Sequence, residues 1–372
     1  MCRLADLINQ YCSDGVDYKP IDECLRYEQP TKYLVKSTAY DDSYDTPVLT
    51  AGQTFILGYT NETKGIYHAS KDNPVIIFDD FTTASKWVDF DFKAKSSAMK
   101  MLKSIDTEKY NIRYLFYVMQ SIDYTPSDHA RQWISIYGKI KVPIPSIHVQ
   151  EEIVRILNRM TDLKTELETE LALRKKQYEY YRDNLLSLED YDGEIYEDSM
   201  GSLTTIGTGN KPRQILDEAT EYDYINAGTT RSGYCSSFNR EGDVTTTPSR
   251  GQGGIGFVGY QENNFWLGPL CYAIRSKNTD VILNKYIYYW LSSHNSLILK
   301  MKNEGGTPAV NKGDLESIVI TYPSIEEQIR IVSILEKLEK LTSSISDGIP
   351  AEIKMRSQQY EYYRDKLISF EN

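Results

Sequence analysis

The heptapeptide Gln-Tyr-Glu-Tyr-Tyr-Arg-Asp occurs twice, at Gln177 to Asp183 and again at Gln359 to Asp365. Upstream of each copy stands a matching opening, Pro145-Ser146-Ile147 through Gln150 and Pro323-Ser324-Ile325 through Gln328. Seven identical residues aligned with a shared opening mark an internal duplication. The openings are offset by 178 residues and the heptapeptides by 182, so the second cassette is longer by four, near Gly348-Ile349-Pro350. A chain made this way is constrained to a pseudo-twofold fold: whatever the first cassette packs on, the second has an equivalent of.

Each cassette predicts one long helix. Pro145 and Pro323 suit the approach to a helix start, and Ser146 or Ser324 suits the N-cap. Apolar residues then recur at steps of three and four. The first series is Ile153, Ile156 or Leu157, Met160, Leu163, Leu167, Leu171, Tyr178, Tyr181, Leu185, Leu188. The second is Ile331, Ile334 or Leu335, Leu338, Leu341, Ile345, Ile349, Ile353, Tyr360, Tyr363, Leu367. A narrow stripe over this length suits a helix lying lengthwise on another, so the two cassettes are expected to pair as an antiparallel coiled coil. The plainer reading is a separate hairpin core in each half. A helix from Ser146 to Leu188 would be about 65 Å long at roughly 1.5 Å per residue. Pro350 conflicts with an unbroken second helix, because proline in a helix interior costs about 3 kcal/mol. Either that helix bends there or Gly348 ends one helix and a second begins.

The stretches 1–144 and 191–322 are of similar size and rich in short β-branched and aromatic runs bounded by Gly, Asn and Asp, which predict strands. Examples are Thr46-Pro47-Val48-Leu49, Gly52 to Tyr59, Pro74 to Phe78, Trp87 to Phe90, Gly242 to Thr247, Gly256 to Tyr260 and Cys271 to Ile274. Each stretch has one convincing helix, Ile112 to Gln120 and Asn284 to Ser292. The expected fold is α+β: two globular domains, 1–144 and 191–322, separated by helical spacers at 145–190 and 323–372. The acidic stretch Glu189 to Asp198 reads as the linker into the second domain.

Composition narrows the function. With 42 basic and 53 acidic residues the formal charge is -11, which argues against a freestanding nucleic-acid binder. Local basic faces, or a partner subunit, could still supply phosphate contacts. Thirty tyrosines suit wet interfaces as well as cores. No apolar run of 18 residues predicts a membrane span, and the start lacks a basic-then-apolar leader. Five scattered cysteines without a CxxC pair suit a reduced, cytoplasmic chain.

No GxxxxGK[ST], HExxH or GxSxG motif is present. Gly251, Gly253 and Gly256 match GxGxxG, but a strand rather than a helix is predicted to follow, which suits a turn or bulge, or a loop held close to a ligand with Arg250 beside it. The dispersed histidines His68, His129, His148 and His294 suit surface or packing roles. Asp79, Asp80, Asp91 and Lys93 could hold a metal and a water for phosphodiester hydrolysis, against which stands simple in-and-out alternation of Asp89, Phe90, Asp91 and Phe92 in a strand. Asp79 and Asp80 could equally accept from base amino groups. Within the heptapeptides, Tyr178, Tyr181, Tyr360 and Tyr363 belong to the packed stripe. Tyr180, Arg182, Tyr362 and Arg364 fall wholly or partly off it, and duplicated off-stripe residues suit docking of two copies of one partner.

The chain resembles the DNA-specificity subunit of type I restriction-modification systems over nearly its full length. The resemblance rests on Pro323 to Gln328 leading into Ile331-Val332, and on Gly348-Ile349-Pro350-Ala351-Glu352-Ile353 leading into the second heptapeptide and on through Leu367. Ile77 to Thr82 with Ser96 to Lys100 resembles one variant of that family's target-recognition domain. Ser249-Arg250-Gly251 through Gly256 with Thr307 to Lys312 resembles another. The first cassette departs from the pattern at His148-Val149-Gln150 and lacks the Gly-Ile-Pro insert.

The resemblance implies a chain without an active site whose two domains each read half of a split, asymmetric site in double-stranded DNA. The paired helices would fix the gap. Two modification subunits would dock on them and carry S-adenosylmethionine-dependent adenine methylation, and restriction subunits would add ATP- and Mg-dependent translocation and cleavage. Under that reading the DNA-contacting candidates are Lys32, Lys36, Lys64 and Lys86 in the first domain, with Asp79 and Asp80. In the second they are Lys211, Arg213, Arg231, Arg240 and Arg250. A structural scaffold that reads no bases is the main alternative, and a metal-dependent nuclease the distant one.

Overall fold

A computed structural model describes residues 2–52, 54–127, 129–251, 253–303, 307–344 and 348–370. The chain divides into two units, residues 1–166 with 353–372, and residues 167–352. Each unit therefore holds one globular domain, the start of the cassette that follows it, and the heptapeptide end of the other cassette.

In the first unit the chain enters through α1 (Cys2–Tyr11), β1 (Asp17–Pro20) and β2 (Leu25–Glu28). It continues through β3 (Thr46–Leu49), β4 (Ile56–Thr60), β5 (Val75–Asp79), β6 (Ser85–Val88), β7 (Lys93–Ala94) and β8 (Met99–Ser104). Helix α2 (Ile112–Ser121) and β9 (Lys141–Ile144) lead into α3 (Ile147–Ser187). Three sheets result: β2-β8-β5-β6, β4-β3-β7 and the pair β1-β9. The continuous apolar run of β5 is central and buried along Val75 to Phe78. Asn111 caps α2, its side chain accepting from the N–H groups of Arg113 and Tyr114, which satisfies donors the helix itself cannot.

The second unit repeats this plan. It runs β10 (Tyr196–Ser199), α4 (Met200–Leu203), β11 (Thr204–Thr208), β12 (Tyr222–Ile225) and β13 (Tyr234–Cys235). Then come β14 (Val244–Pro248), β15 (Gly259–Gln261), β16 (Trp266–Leu267), β17 (Cys271–Ser276), α5 (Asn284–Ser293), α6 (Asn295–Lys300), α7 (Lys312–Glu316) and β18 (Val319–Tyr322). The cassette follows as α8 (Ile325–Ser343) and α9 (Ile349–Ile368). Its sheets are β11-β17-β14-β15, β13-β12-β16 and β10-β18. Even registers agree: Leu25 pairs with Ser104 as Thr204 pairs with Ser276, and Ile76 with Leu102 as Thr245 with Ile274. Two domains with little sequence in common thus share one topology.

The acidic linker is shorter than expected, because β10 begins inside Glu189 to Asp198 and pairs with β18. Leu188 and Phe370, equivalent residues just past α3 and α9, both adopt positive φ, 57° and 34°.

The helical cassettes decide between the two outcomes left open at Pro350. The first is a single helix of 41 residues. The second is two helices, α8 and α9, because Pro350 stands at the second position of α9, where a missing N–H costs nothing. Gly348 precedes it; a Cβ there would lie 2.6 Å from the Lys340 carbonyl oxygen and 2.8 Å from that of Leu341. Ile345 of the predicted stripe lies outside the described residues. Chain order makes the pairing antiparallel: the first half of α3 shares a core with α9, and its last residues share one with α8. The stripe is buried at its ends, at Ile153, Leu157 and Leu188, while Leu163 and Tyr181 are exposed.

Two glutamines show how closely the units agree. Gln150 and Gln328 are both 0% exposed. Gln150 accepts from the Asn111 N–H and donates to the carbonyls of Lys109 and Pro145, at 2.8–2.9 Å. Gln328 accepts from the Leu283 N–H and donates to those of Val281 and Pro323, at 2.9–3.0 Å. Each joins the loop before a domain helix to the first turn of a cassette helix.

Candidate nucleic-acid interface

In the first domain three candidate lysines stand on segments drawn together by one buried ion pair. Lys93 on β7 is almost fully buried; its Nζ lies 3.1 Å from Glu62 and donates to the Lys64 carbonyl at 2.6 Å. Glu62 in turn accepts from the backbone N–H groups of Lys36 and Ser37 at 2.8 and 2.9 Å; against burial, which pushes its carboxyl up, these bonds and the Lys93 ammonium hold it below the usual range. Gly65 fits against the Lys32 carbonyl, 2.5 Å from where a Cβ would stand, and its φ is 67°. The side chains of Lys32, Lys36 and Lys64 point outward and are exposed. Lys86 stands on the edge strand β6, half-buried.

The carboxylates behave differently from one another. Asp79 closes the β5–β6 turn, accepting from the N–H groups of Phe81 and Thr82. Asp80 is 1% exposed, 3.0 Å from the equally buried Lys100, and accepts from the Trp133 N–H. Enclosed this way, it is a framework residue and presents no oxygen to a base. The residues proposed for metal-dependent chemistry are likewise engaged separately, since Asp91 pairs with His68 at 2.7 Å and Lys93 with Glu62. Among the described residues no group of three or more His, Cys, Asp or Glu could hold a metal ion.

In the second domain the basic candidates form two groups. Arg231 and Arg250 stand on neighbouring loops: Gly254 approaches Gly228 so closely that a Cβ would lie 2.8 Å from its nitrogen. Gly228, Gly251, Gly253 and Gly256 all take positive φ, which glycine does at little cost. The strand β15 follows, so the GxGxxG spacing serves a loop and opens no helix; Gln252 lies outside the described residues. A cleft of about 260 Å³ lies beside the Arg231 loop, lined by Gly228 and Arg231 with Thr246, Pro248, Tyr260 and Cys271. Arg231 pairs with Asp223 at 3.3 Å and lies 4.8 Å over the Tyr234 ring; Arg250 is exposed. In the second group, Arg240 donates to the Thr208 carbonyl and Asn239 to Asn210, which ties Arg240 to the segment that leads into the exposed Lys211 and Arg213.

On the helices, Tyr180 and Tyr362 are 66% and 59% exposed. Arg182 and Arg364 are not: their side chains are 19% and 15% exposed, bonded to Asp183 and Asp365 at 2.8 Å and folded over the rings of Tyr178 and Tyr360. Tyr181, expected in the packed stripe, is 41% exposed and pairs edge-on with Tyr180, as Tyr363 does with Tyr362. The duplicated outward face is therefore mainly aromatic. An apolar groove of about 330 Å³ along α3 and α9 adjoins it, lined by Ile156, Met160, Leu163, Tyr363 and Leu367 with arginines at the rim. Sequence periodicity missed this groove because its residues belong to the same stripe as the core.

Two α+β domains of one topology, carrying unlike basic loops on duplicated helices, define a class of two-domain chains built on an internal repeat. Residues 14–174 and 197–355 each match the family model described as the type I restriction modification DNA specificity domain. The chain belongs to that family. It is 44% identical to a type I restriction enzyme specificity subunit, EcoR124I/EcoR124II, of Escherichia coli, with 96% of this chain and 95% of that protein covered. It is 29% identical to a putative type I restriction enzyme specificity subunit of Haemophilus influenzae over 95% of this chain and 96% of that one. The crystal structure of a type I restriction-modification S subunit from M. genitalium superposes with a TM-score of 0.66 at 16% identity, covering 95% and 96% of the two chains, and shares the fold. Among the described residues no helix is long and apolar enough to cross a membrane.

Proposed function

We propose that this chain reads a bipartite, asymmetric site in double-stranded DNA, one half by each domain, and positions two modification subunits for adenine methylation. One observation carries the reading: two domains with the same topology and register bear different loops and charges at equivalent places. Shared frames supply the same docking geometry, and unlike loops supply unlike half-sites. In the second domain Arg250 and Arg231 are the base-reading candidates, with Lys211, Arg213 and Arg240 for phosphates. In the first, Lys32, Lys36 and Lys64 are phosphate candidates, with Lys86 on the edge strand β6 and Asp79 at the end of β5.

Tyr180 and Tyr362 would each receive one copy of the modification subunit, with Tyr181 and Tyr363 beside them; Arg182 and Arg364 would act by shaping that face. S-adenosylmethionine chemistry belongs to those partners, and ATP- and Mg-dependent translocation to restriction subunits that join the same core. The test is methylation mapping of host DNA with and without this gene. A two-part motif that appears only with it supports the reading. Methylation without a two-part motif would instead leave a scaffold that reads no bases.

A further inference from the structure

The second residue of each domain helix is a cation enclosed by aromatic rings. Arg113 of α2 lies 4.4 Å from the ring centroid of Trp87, 5.3 Å from Phe116 and 4.9 Å from Tyr117. Lys285 of α5 lies 4.0 Å from Tyr260, 5.7 Å from Tyr288 and 6.0 Å from Tyr289. Trp87 and Tyr260 occupy equivalent places on the edge strands, opposite Ile76 and Thr245. Each cation also reaches the cassette helix. Arg113 donates to Asn158 at 3.1 Å, and Lys285 stands 3.7 Å from Glu336. Asn158 and Glu336 sit at the same distance past Gln150 and Gln328 along their helices.

Not one of the paired residues around the cation is the same in the two domains save Tyr117 and Tyr289, yet the arrangement is the same. Packing alone does not require a charge at this place, and an aliphatic side chain would bury more easily. A cation held by several rings and one polar side chain loses all those contacts if any element slides. It fastens the sheet edge, the domain helix and the cassette helix at one point.

We propose that Arg113 and Lys285 are positioning residues that fix the angle of each recognition domain on its helix, and through it the half-site spacing the subunit accepts. The inference rests on the specificity reading above. Successive base pairs are about 3.4 Å apart along one strand, so a small rotation at the clamp, amplified at the loop tips, equals a one-base-pair change in spacing.

The experiment is genome-wide methylation mapping in cells producing the modification subunit with the wild-type chain, Arg113→Met or Lys285→Met. The wild type should methylate at a single spacing. Each variant should keep the same half-site bases but lower the ratio of correct to one-base-pair-shifted sites at least tenfold. Arg113→Lys and Lys285→Arg should restore strict spacing. If a methionine variant fails to fold, Asn158→Ala and Glu336→Ala keep the cation and its rings, remove the cassette-helix partner (for Asn158 the Tyr117 hydroxyl's acceptor as well) and should relax spacing in the same way. Strict spacing in the folded variants, methylation reduced equally at all sites, or altered half-site bases would each overturn the clamp alone. A wild-type complex with no two-part pattern overturns the specificity reading, and the clamp falls with it.

Discussion

The ring of Tyr360, from the second heptapeptide, packs edge-on against Tyr117 of the first domain at 6.3 Å. The corresponding tyrosine of the first heptapeptide, Tyr178, packs on the second domain's core beside Tyr288 and Tyr289, whose hydroxyls donate to Glu339 at 2.7 and 2.8 Å. Each half of the chain thus finishes the other half's unit. Identical heptapeptides follow from this exchange: both must fit the same kind of seat, and both must leave the same outward face.

The buried glutamines should matter equally in both units. Gln150→Leu leaves the Asn111 N–H and two carbonyls without their partner, and Gln328→Leu does the same to Leu283 and its neighbours. Each substitution should cost about 1–3 kcal/mol, read as a lower urea midpoint at unchanged slope. A loss below about 0.5 kcal/mol at either position contradicts the equivalence.

The Asp80–Lys100 pair should show the asymmetry of buried charge. Lys100→Met strands a carboxylate that is 1% exposed and should cost about 3–5 kcal/mol. Adding Asp80→Asn keeps an acceptor for the Trp133 N–H and removes the stranded charge. The double variant should therefore be more stable than the single one in denaturant titrations.

Arginine and lysine candidates should separate by salt response. Arg250→Ala, in the complex with modification subunits, should lower discrimination between cognate and altered half-sites by about 1–3 kcal/mol. Lys36→Ala should weaken binding to every sequence and reduce the magnitude of the salt slope by about 1. Titrations of duplex DNA at several salt concentrations measure both effects.

Burial also sets an alkaline limit. It pushes the Cys24 thiol up to about 11 and the Tyr360 hydroxyl up to about 12. Both groups favour the neutral form when folded, so their contribution is complete below the ordinary values of 9.0 and 10.0 and is lost as pH rises through the folded values. The urea midpoint should hold steady to about pH 8.5 and then fall. A thiol reagent at pH 8 should reach Cys24 only after unfolding.

The sequence by itself determined the duplication, the α+β class, the helical cassettes and several of the strands, because these depend on periodicity and on residues a few positions apart. The runs Val75 to Phe78 and Val244 to Thr247 were legible as strands from their β-branched and apolar character. It also pointed to Gly348 and Pro350 as the place where the second helix bends or divides, without choosing between them; the end of α8 at Ser343 and the start of α9 at Ile349 decide for two helices. Tertiary structure alone decided that Asp80 faces inward to Lys100 while Lys36 faces out. It placed Arg182 and Arg364 over their own tyrosines and put Arg113 and Lys285 into equivalent aromatic enclosures. No local pattern announces these contacts, since their partners come from strands and helices far apart in the chain and the chemical identities differ between halves. A repeat in sequence shows that two things are alike, whereas the packing shows what each copy holds.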